Sequence, residues 1–260
     1  MLTKTQLRTF LKEKGILPSD TVVIHISMRA VGEVECGCDG IIDAVKDYLS
    51  DGMLVIPTHT WANVDQNQPI FNVKTTAPCI GALPTVASKR EDGVRSLHPT
   101  HSVAVFGKNA REFTNGEQFS TSPAPVGGLW SRLYDVKAKI LLIGVGLNRN
   151  TFIHAVDEML DLPDRLEPPI PLTVIDELGN EYEVNFRKHG FTGSENFGKF
   201  KDALDHHGAL SYGKLGNADV MIFDAYKGTE VIKRLWSASD FDLVKEDKPI
   251  PKSYYENFTL

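Results

Sequence analysis

Two apolar runs rich in β-branched residues, TVVIHIS at 21–27 and MLVIPTHT at 53–60, flank a helical stretch at 40–50. Runs of this length and composition read as buried strands. Two such strands with a helix between them form a βαβ unit, and a βαβ unit dictates a parallel sheet. Asp39 is the expected N-cap of the intervening helix. The rest of the chain extends this plan. Residues 3–14 read as a helix with Leu7, Phe10 and Leu11 on one face, 61–80 as a long surface loop, and 81–90 as a helix. HSVAVFG at 101–107 and KILLIGVG at 139–146 read as further strands, with helices expected over 108–115 and 129–135 and a loop over 116–128. Another helix begins near Thr151. Alternation of apolar and polar residues around LGNE marks a β-hairpin at about 165–190, inserted late in the chain. Helix at 194–206, short strands around KLGNADVMIFDA and helix at 225–236 complete it. The expected architecture is α/β, in one domain over 1–260. It is a central mixed sheet built on parallel βαβ units, with flanking helices and a late antiparallel portion.

Composition narrows the function classes. Hydrophobic residues are 42% and charged residues 24% of the 260, as in an ordinary globular protein. Lys and Arg are dispersed and the net charge is -6, which argues against nucleic acid as a partner. A mildly acidic balance suits a cationic small substrate. No apolar stretch approaches the roughly 20 residues of a membrane span, and the first residues read as a charged amphipathic helix rather than a signal peptide. Three cysteines do not make a disulfide framework. Cys36 and Cys38 have no further ligands at zinc-site spacing, so no metal is expected. A reducing cytoplasm is the expected home, and a monomer or homodimer the expected form.

Three segments carry chemistry. In VIHISMRAVGEVECGCDG a strand ends, a polar loop follows and a helix starts, the strand-end position where ligands bind in open α/β sheets. Backbone amides there can hold a phosphate or a thioester oxygen. RSLHPTHS at 95–102 crowds hydrogen-bonding side chains into one loop, a density suited to phosphate or amide groups. LLIGVGLNRNTFIHAVDE at 141–158 ends a buried strand and opens a helix bearing His154 and Asp157. Three residues apart, they share a helical face. A carboxylate so placed can fix an imidazole tautomer and stabilise the imidazolium. Their bland alternative is an ordinary surface pair. His206 and His207 read as exposed, and Trp61 and Trp130 as either cleft-lining or core residues.

In this order the segments resemble the aminoglycoside 3-N-acetyltransferase family. The resemblance rests on His25-Ile26-Ser27, Gly37 and Gly40, Pro57-Thr58, Arg95-Ser96-Leu97-His98-Pro99 with Ser102, Gly144-Val145-Gly146, and Asn150-Thr151-Phe152-Ile153-His154 with Asp157. It spans roughly residues 2–240. Ile26 stands where the family has a first Ser, and Asp157 where it usually has Glu. The 61–80 loop and SPAPVGGLWSRL, where acceptor specificity is expected, also depart from the pattern.

The resemblance implies direct transfer of an acetyl or other short acyl group from a coenzyme A thioester to an amine. His154 is then the general base, Asp157 its orienting carboxylate and His25 an assisting group at the same mouth. Ser27, Met28 and Arg29 form the coenzyme A loop and a source of oxyanion donors, and Arg95, Ser96, His98 and Ser102 are further cofactor contacts. His59, Trp61 and Asn150 are the candidate acceptor contacts. The acceptor is an aminoglycoside or another amino sugar, including a nucleotide-linked one of polysaccharide biosynthesis. Two rivals are a hydrolase with Cys79 as nucleophile and a non-catalytic acyl-CoA-binding protein.

Overall fold

The computed structural model describes residues 1–190 and 193–260. Its centre is a seven-stranded sheet in the order β4-β5-β2-β1-β6-β10-β9. The strands are β1 (Thr21–Ile26), β2 (Met53–Pro57), β4 (Val94–Arg95), β5 (Val103–Phe106), β6 (Lys139–Ile143), β9 (Leu210–Leu215) and β10 (Ala218–Asp224). β1 lies parallel to both β2 and β6, while every other pairing in this sheet is antiparallel. The expected βαβ units therefore supply the middle three strands, and antiparallel strands extend the sheet on both sides. The central strands are largely apolar because both their faces are covered.

Side-chain alternation along β1 splits the core in two. Val22 and Ile24 pack under α1 (Lys4–Glu13) and α3 (Gly37–Tyr48). Val23 points to the opposite face, toward α6 (Leu129–Asp135), α7 (Phe152–Met159) and α9 (Ala225–Ala238). His25, two residues on from Val23, falls on that second face. α3, the helix expected from residue 40, begins at Gly37. Cys36, in a left-handed conformation, is its N-cap, and Asp39 sits in its first turn.

The hairpin forms as expected from β7 (Ile170–Ile175) and β8 (Glu181–Phe186). The supposed 61–80 loop is partly ordered as strand: β3 (Ile70–Asn72) pairs in parallel with β7 to complete a separate three-stranded sheet. That sheet has its own apolar cluster, including Val64, Phe71, Leu172 and Phe186. Three residues without an alternating pattern give no strand signal by themselves, and β3 exists because β7 offers it a partner. His206 is exposed, but His207 is half-buried. Its ring stacks on Phe258 at 4.2 Å and its Nε2 bonds the Tyr255 carbonyl at 2.8 Å.

Candidate active site

A cavity of about 720 Å³ opens beyond the C-terminal ends of β1, β2 and β6, the strand-end position favoured in α/β sheets. β1 contributes His25 and Ile26, and β2 runs on into His59 and Trp61. The segment after β6 contributes Asn148 to Thr151, α7 contributes His154, and the end of the hairpin contributes Phe186, Lys188 and His189. This size is within the usual range of small-molecule sites.

Imidazoles dominate the wall. His59 and His101 have ring centroids 4.6 Å apart, His101 and His189 6.1 Å, and His189 and His154 4.4 Å. Trp130 lies beneath them, fully buried. It packs against His59 at 5.5 Å and donates from Nε1 to the His101 carbonyl at 2.9 Å. Trp130 is thus a core residue behind the wall, and the half-exposed Trp61 is part of the lining. Burial lowers the pKa of His25 and holds it at about 4. It also holds His59, His101 and His154 well below the ordinary imidazole value, with neighbouring imidazoles adding to the effect. These rings are neutral at pH 7. Three buried polar atoms on the wall have no partner among the described residues: His25 Nε2, His59 Nε2 and the Asn150 amide nitrogen. Unsatisfied buried groups on a concave wall fit a polar ligand that completes them. Among the described residues, no set of three or more His, Cys, Asp or Glu is arranged to hold a metal ion.

The partner of the central histidine differs from expectation. His154 and Asp157 share α7, but no hydrogen bond joins them among the described residues. Asp157 is 2% exposed, and one of its carboxylate oxygens has no hydrogen bond. Burial raises its pKa to about 7 against the opposing pull of Arg165. The carboxylate that does meet an imidazole is Glu158. Its Oε1 lies 3.2 Å from His189 Nε2 and accepts the Ala124 amide at 2.8 Å, and its Oε2 accepts the Ser122 hydroxyl. His189 is at once in ring contact with His154. A helix places residues i+3 and i+4 on one face together, so the spacing from His154 does not decide between Asp157 and Glu158. The hairpin decides it by delivering His189. Nothing local in the sequence around His189 signals this, since its partners are 31 and 35 positions away.

The 95–102 segment also departs from its expected role. Arg95, Ser96, His98 and Ser102 are buried and none lines the cavity. Arg95 donates to the carbonyls of Val73, Thr76 and Thr58, tying the small sheet's loop to β2. The Ser96 hydroxyl accepts the Val103 amide, and Ser102 bonds both the side chain and the carbonyl of Thr58. His98 accepts the Thr100 and His101 amides at Nδ1 and donates from Nε2 to the Ser122 carbonyl. The loop is a frame that presents Thr100 and His101, and those two do line the cavity. Ser27 caps the short helix α2 (Met28–Val31) by accepting the Ala30 amide. Ser27, Met28 and Arg29 adjoin the wall residue Ile26 without forming part of the wall. Cys79 lines the cavity, but burial raises its pKa. That is the reverse of an activated nucleophile, and no hydrogen bond links its thiol to an imidazole among the described residues.

A strand-end cavity on a mixed α/β sheet, walled by neutral imidazoles and unsatisfied polar groups, is a site built for a polar small molecule. Residues 23–236 match the family model of the aminoglycoside 3-N-acetyltransferases, and the chain belongs to that family. It is an acyl-CoA-dependent N-acyltransferase, and acetyl-CoA is the family's co-substrate. The chain is 22% identical over 275 residues to a prophage-derived aminoglycoside N(3')-acetyltransferase-like protein, YokD, of Bacillus subtilis, covering 94% of this chain and 96% of that one. It is 27% identical over 182 residues to aminoglycoside N(3)-acetyltransferase VII of Streptomyces paromomycinus, covering 63% of each. The solved structure of AAC-IIIb in binary complex with CoASH shares the fold, with a TM-score of 0.75 at 21% identity over 88% of this chain and 94% of that chain. Among the described residues no helix is long and apolar enough to cross a membrane.

Proposed function

We propose that this enzyme transfers an acetyl group from acetyl-CoA directly to a primary amine of an amino-sugar acceptor, with His154 as general base. The observation that carries this reading is a neutral imidazole, His154, facing a cavity of substrate size at the sheet's C-terminal edge. An amine at pH 7 is mostly ammonium and must lose a proton before its nitrogen can attack. A neutral imidazole is the form that accepts that proton. Burial that keeps His154 neutral also weakens it as a base, so a nearby negative charge must support the imidazolium. Glu158 acts through His189, and Asp157, one turn along α7 from His154 and raised to a pKa of about 7 by burial, adds only part of a charge at pH 7.

Acetyl-CoA supplies an activated acyl carbon and a thiol leaving group. The orphaned Nε2 of His25 is placed to donate to the acyl oxygen or to protonate the departing sulfur. The first amides of α2, at Met28 and Arg29, have no intrahelical acceptors and are further candidate donors near the developing negative charge. His59, Trp61 and Asn150 line the side on which the acceptor amine approaches His154. Names of the relatives point to aminoglycosides as a first acceptor class to assay. The raised pKa of the Cys79 thiol disfavours a thiol hydrolase.

A coenzyme A release assay against a panel of amines tests this reading, together with the melting temperature in saturating acetyl-CoA. We expect release only with an amine present and an upward thermal shift by mass action. Amine-independent release, or no thermal shift and no turnover, would sink it.

A further inference from the structure

The charges on the cavity wall do not match those of a polycationic acceptor. Two basic side chains line it, Arg149 from the turn after β6 and Lys188 from the end of the hairpin, and no described Asp or Glu does. The ion pairs close by in sequence join other groups: His189 with Glu158, Arg165 with Asp242 and Lys245 with Asp164. No hydrogen bond or ion pair engages the side chain of Arg149 or Lys188 among the described residues. Between Arg149 and α7 sits Asn150, 1% exposed, with its amide nitrogen unpartnered among the described residues. The two carboxylates that share α7 with His154 are not part of the wall, Glu158 already accepting hydrogen bonds from three groups and Asp157 buried. Asp65 acts on Lys188 at longer range, but it is not part of the wall. A ligand bearing several ammonium groups would meet like charge at Arg149 and Lys188 and find no carboxylate to replace its lost hydration. An anion would gain charge-assisted hydrogen bonds from both cations and from the Asn150 amide.

Building on the acetyltransferase reading above, we propose that the natural acceptor is an amino sugar that also carries an anionic group, a phosphate or carboxylate, held by Arg149, Lys188 and Asn150 while its amine reaches His154. This reverses the expectation from the overall acidic balance, because net charge describes the whole surface and not the site. The same two cations could instead serve the phosphates of coenzyme A, and the test must separate these sources.

Initial rates are measured with acetyl-CoA and three acceptors: glucosamine, glucosamine 6-phosphate and gentamicin. The wild type is compared with the double variant Arg149→Ala, Lys188→Ala, whose fold is checked by its acetyl-CoA-induced thermal shift. We expect kcat/KM for glucosamine 6-phosphate to exceed that for glucosamine by about tenfold or more, the scale of one good charge-assisted contact. In the double variant this ratio should collapse toward one while KM for acetyl-CoA stays unchanged. Gentamicin as the best acceptor, or an unchanged ratio in the variant, overturns the proposal. A raised KM for acetyl-CoA with the ratio intact also overturns it and assigns the cations to the coenzyme. If no amine is acetylated, the acetyltransferase reading fails instead. Calorimetric titration with glucosamine 6-phosphate then judges the anion site alone: binding lost in the variant supports it, and equal or absent binding refutes it.

Discussion

Around the cavity, His25, His59, His101 and His154 lie in or near ring contact, and burial holds all four uncharged at pH 7. Beside α3, on the other face of the sheet, Arg90 reaches Asp39, Asp43 and Asp92 at 2.7–2.8 Å, and its charge is reinforced. One cluster is shaped by desolvation and the other by pairing. Pairing satisfies its members and leaves nothing for a ligand. Desolvation leaves groups in a reactive protonation state with open hydrogen-bonding positions, as found at functional sites. The contrast predicts that the first cluster governs turnover and acid sensitivity, and that the second contributes only a little stability.

The largest effect tests the first half of that contrast. His154→Ala should lower kcat by roughly 10²–10⁴-fold, the usual scale for loss of a general base. Its acetyl-CoA-induced thermal shift should survive, because the side chain faces the cavity. Near wild-type kcat on the best acceptor would remove His154 from the mechanism and reduce the imidazole cluster to packing.

Acid sensitivity comes next. For His25, His59, His98, His101 and His154 the folded pKa lies below the unfolded value of about 6.5. As pH falls below that value the unfolded chain binds protons first, so stability declines. The decline from His25 and His98 ends near about 4, where the folded protein also protonates them. Asp157 and Glu117, raised by burial, act in the opposite direction. Five imidazoles against two carboxyls leave a net loss on acidification. Urea midpoints at pH 8, 6.5 and 5 should fall slightly over the first interval, where the unfolded imidazoles become half protonated, and steeply over the second. A midpoint unchanged at pH 5 would show that the cavity rings are hydrated and chargeable.

A smaller effect separates the two carboxylates of α7. Glu158→Gln preserves shape and removes charge. Losing one nearby opposite charge is worth about one pKa unit, so kcat should fall about tenfold and the acidic limb of the pH profile should move. KM for acetyl-CoA should not change. Asp157→Asn moving that limb more than Glu158→Gln would restore Asp157 as the supporting carboxylate.

The same contrast explains what could be read from the sequence. The parallel strands β1, β2 and β6 were legible because both faces of each are buried, and their apolar runs say so. The position of His154 and His25 at the cavity was legible because each sits where a strand or helix end meets a polar loop. The roles of Arg95, Ser96, His98 and Ser102 were not, because a donor-rich loop looks the same whether its donors face a ligand or the protein's own carbonyls. His189, Glu158, Arg149 and Lys188 were missed for a different reason. Their significance depends on the hairpin folding back over α7, a long-range event with no local pattern. β3 was hidden likewise, being a strand by partnership rather than by composition.

The smallest effect concerns Arg90. Its guanidinium grips Asp92 through two nitrogens, Nε to Oδ1 at 2.8 Å and Nη2 to Oδ2 at 2.7 Å. Its Nη1 and Nη2 also reach Asp39 and Asp43. Hydrogen bonds from Arg90 and Lys46 hold the Asp92 carboxyl far below its usual range, and those from Lys4 and Arg90 lower that of Asp43. Yet the side chain of Arg90 is 21% exposed and that of Asp39 54%, so water and salt screen the network. Arg90→Met, which keeps the aliphatic stem, should therefore cost only about 1 kcal/mol of stability and leave kcat unchanged. Depressed carboxyl pKa values stabilise the fold above the unfolded value of about 4 and cease to do so as pH falls through the folded values. The deficit of Arg90→Met should accordingly be equal at pH 7 and pH 5, where the imidazole cluster is already losing stability. It should shrink in about 0.5 M salt, where the Debye length is only a few ångströms. Urea unfolding of both proteins at the two pH values and two salt concentrations checks this. A deficit that grows between pH 7 and pH 5, or a lowered kcat, would show that the two clusters are coupled through the sheet.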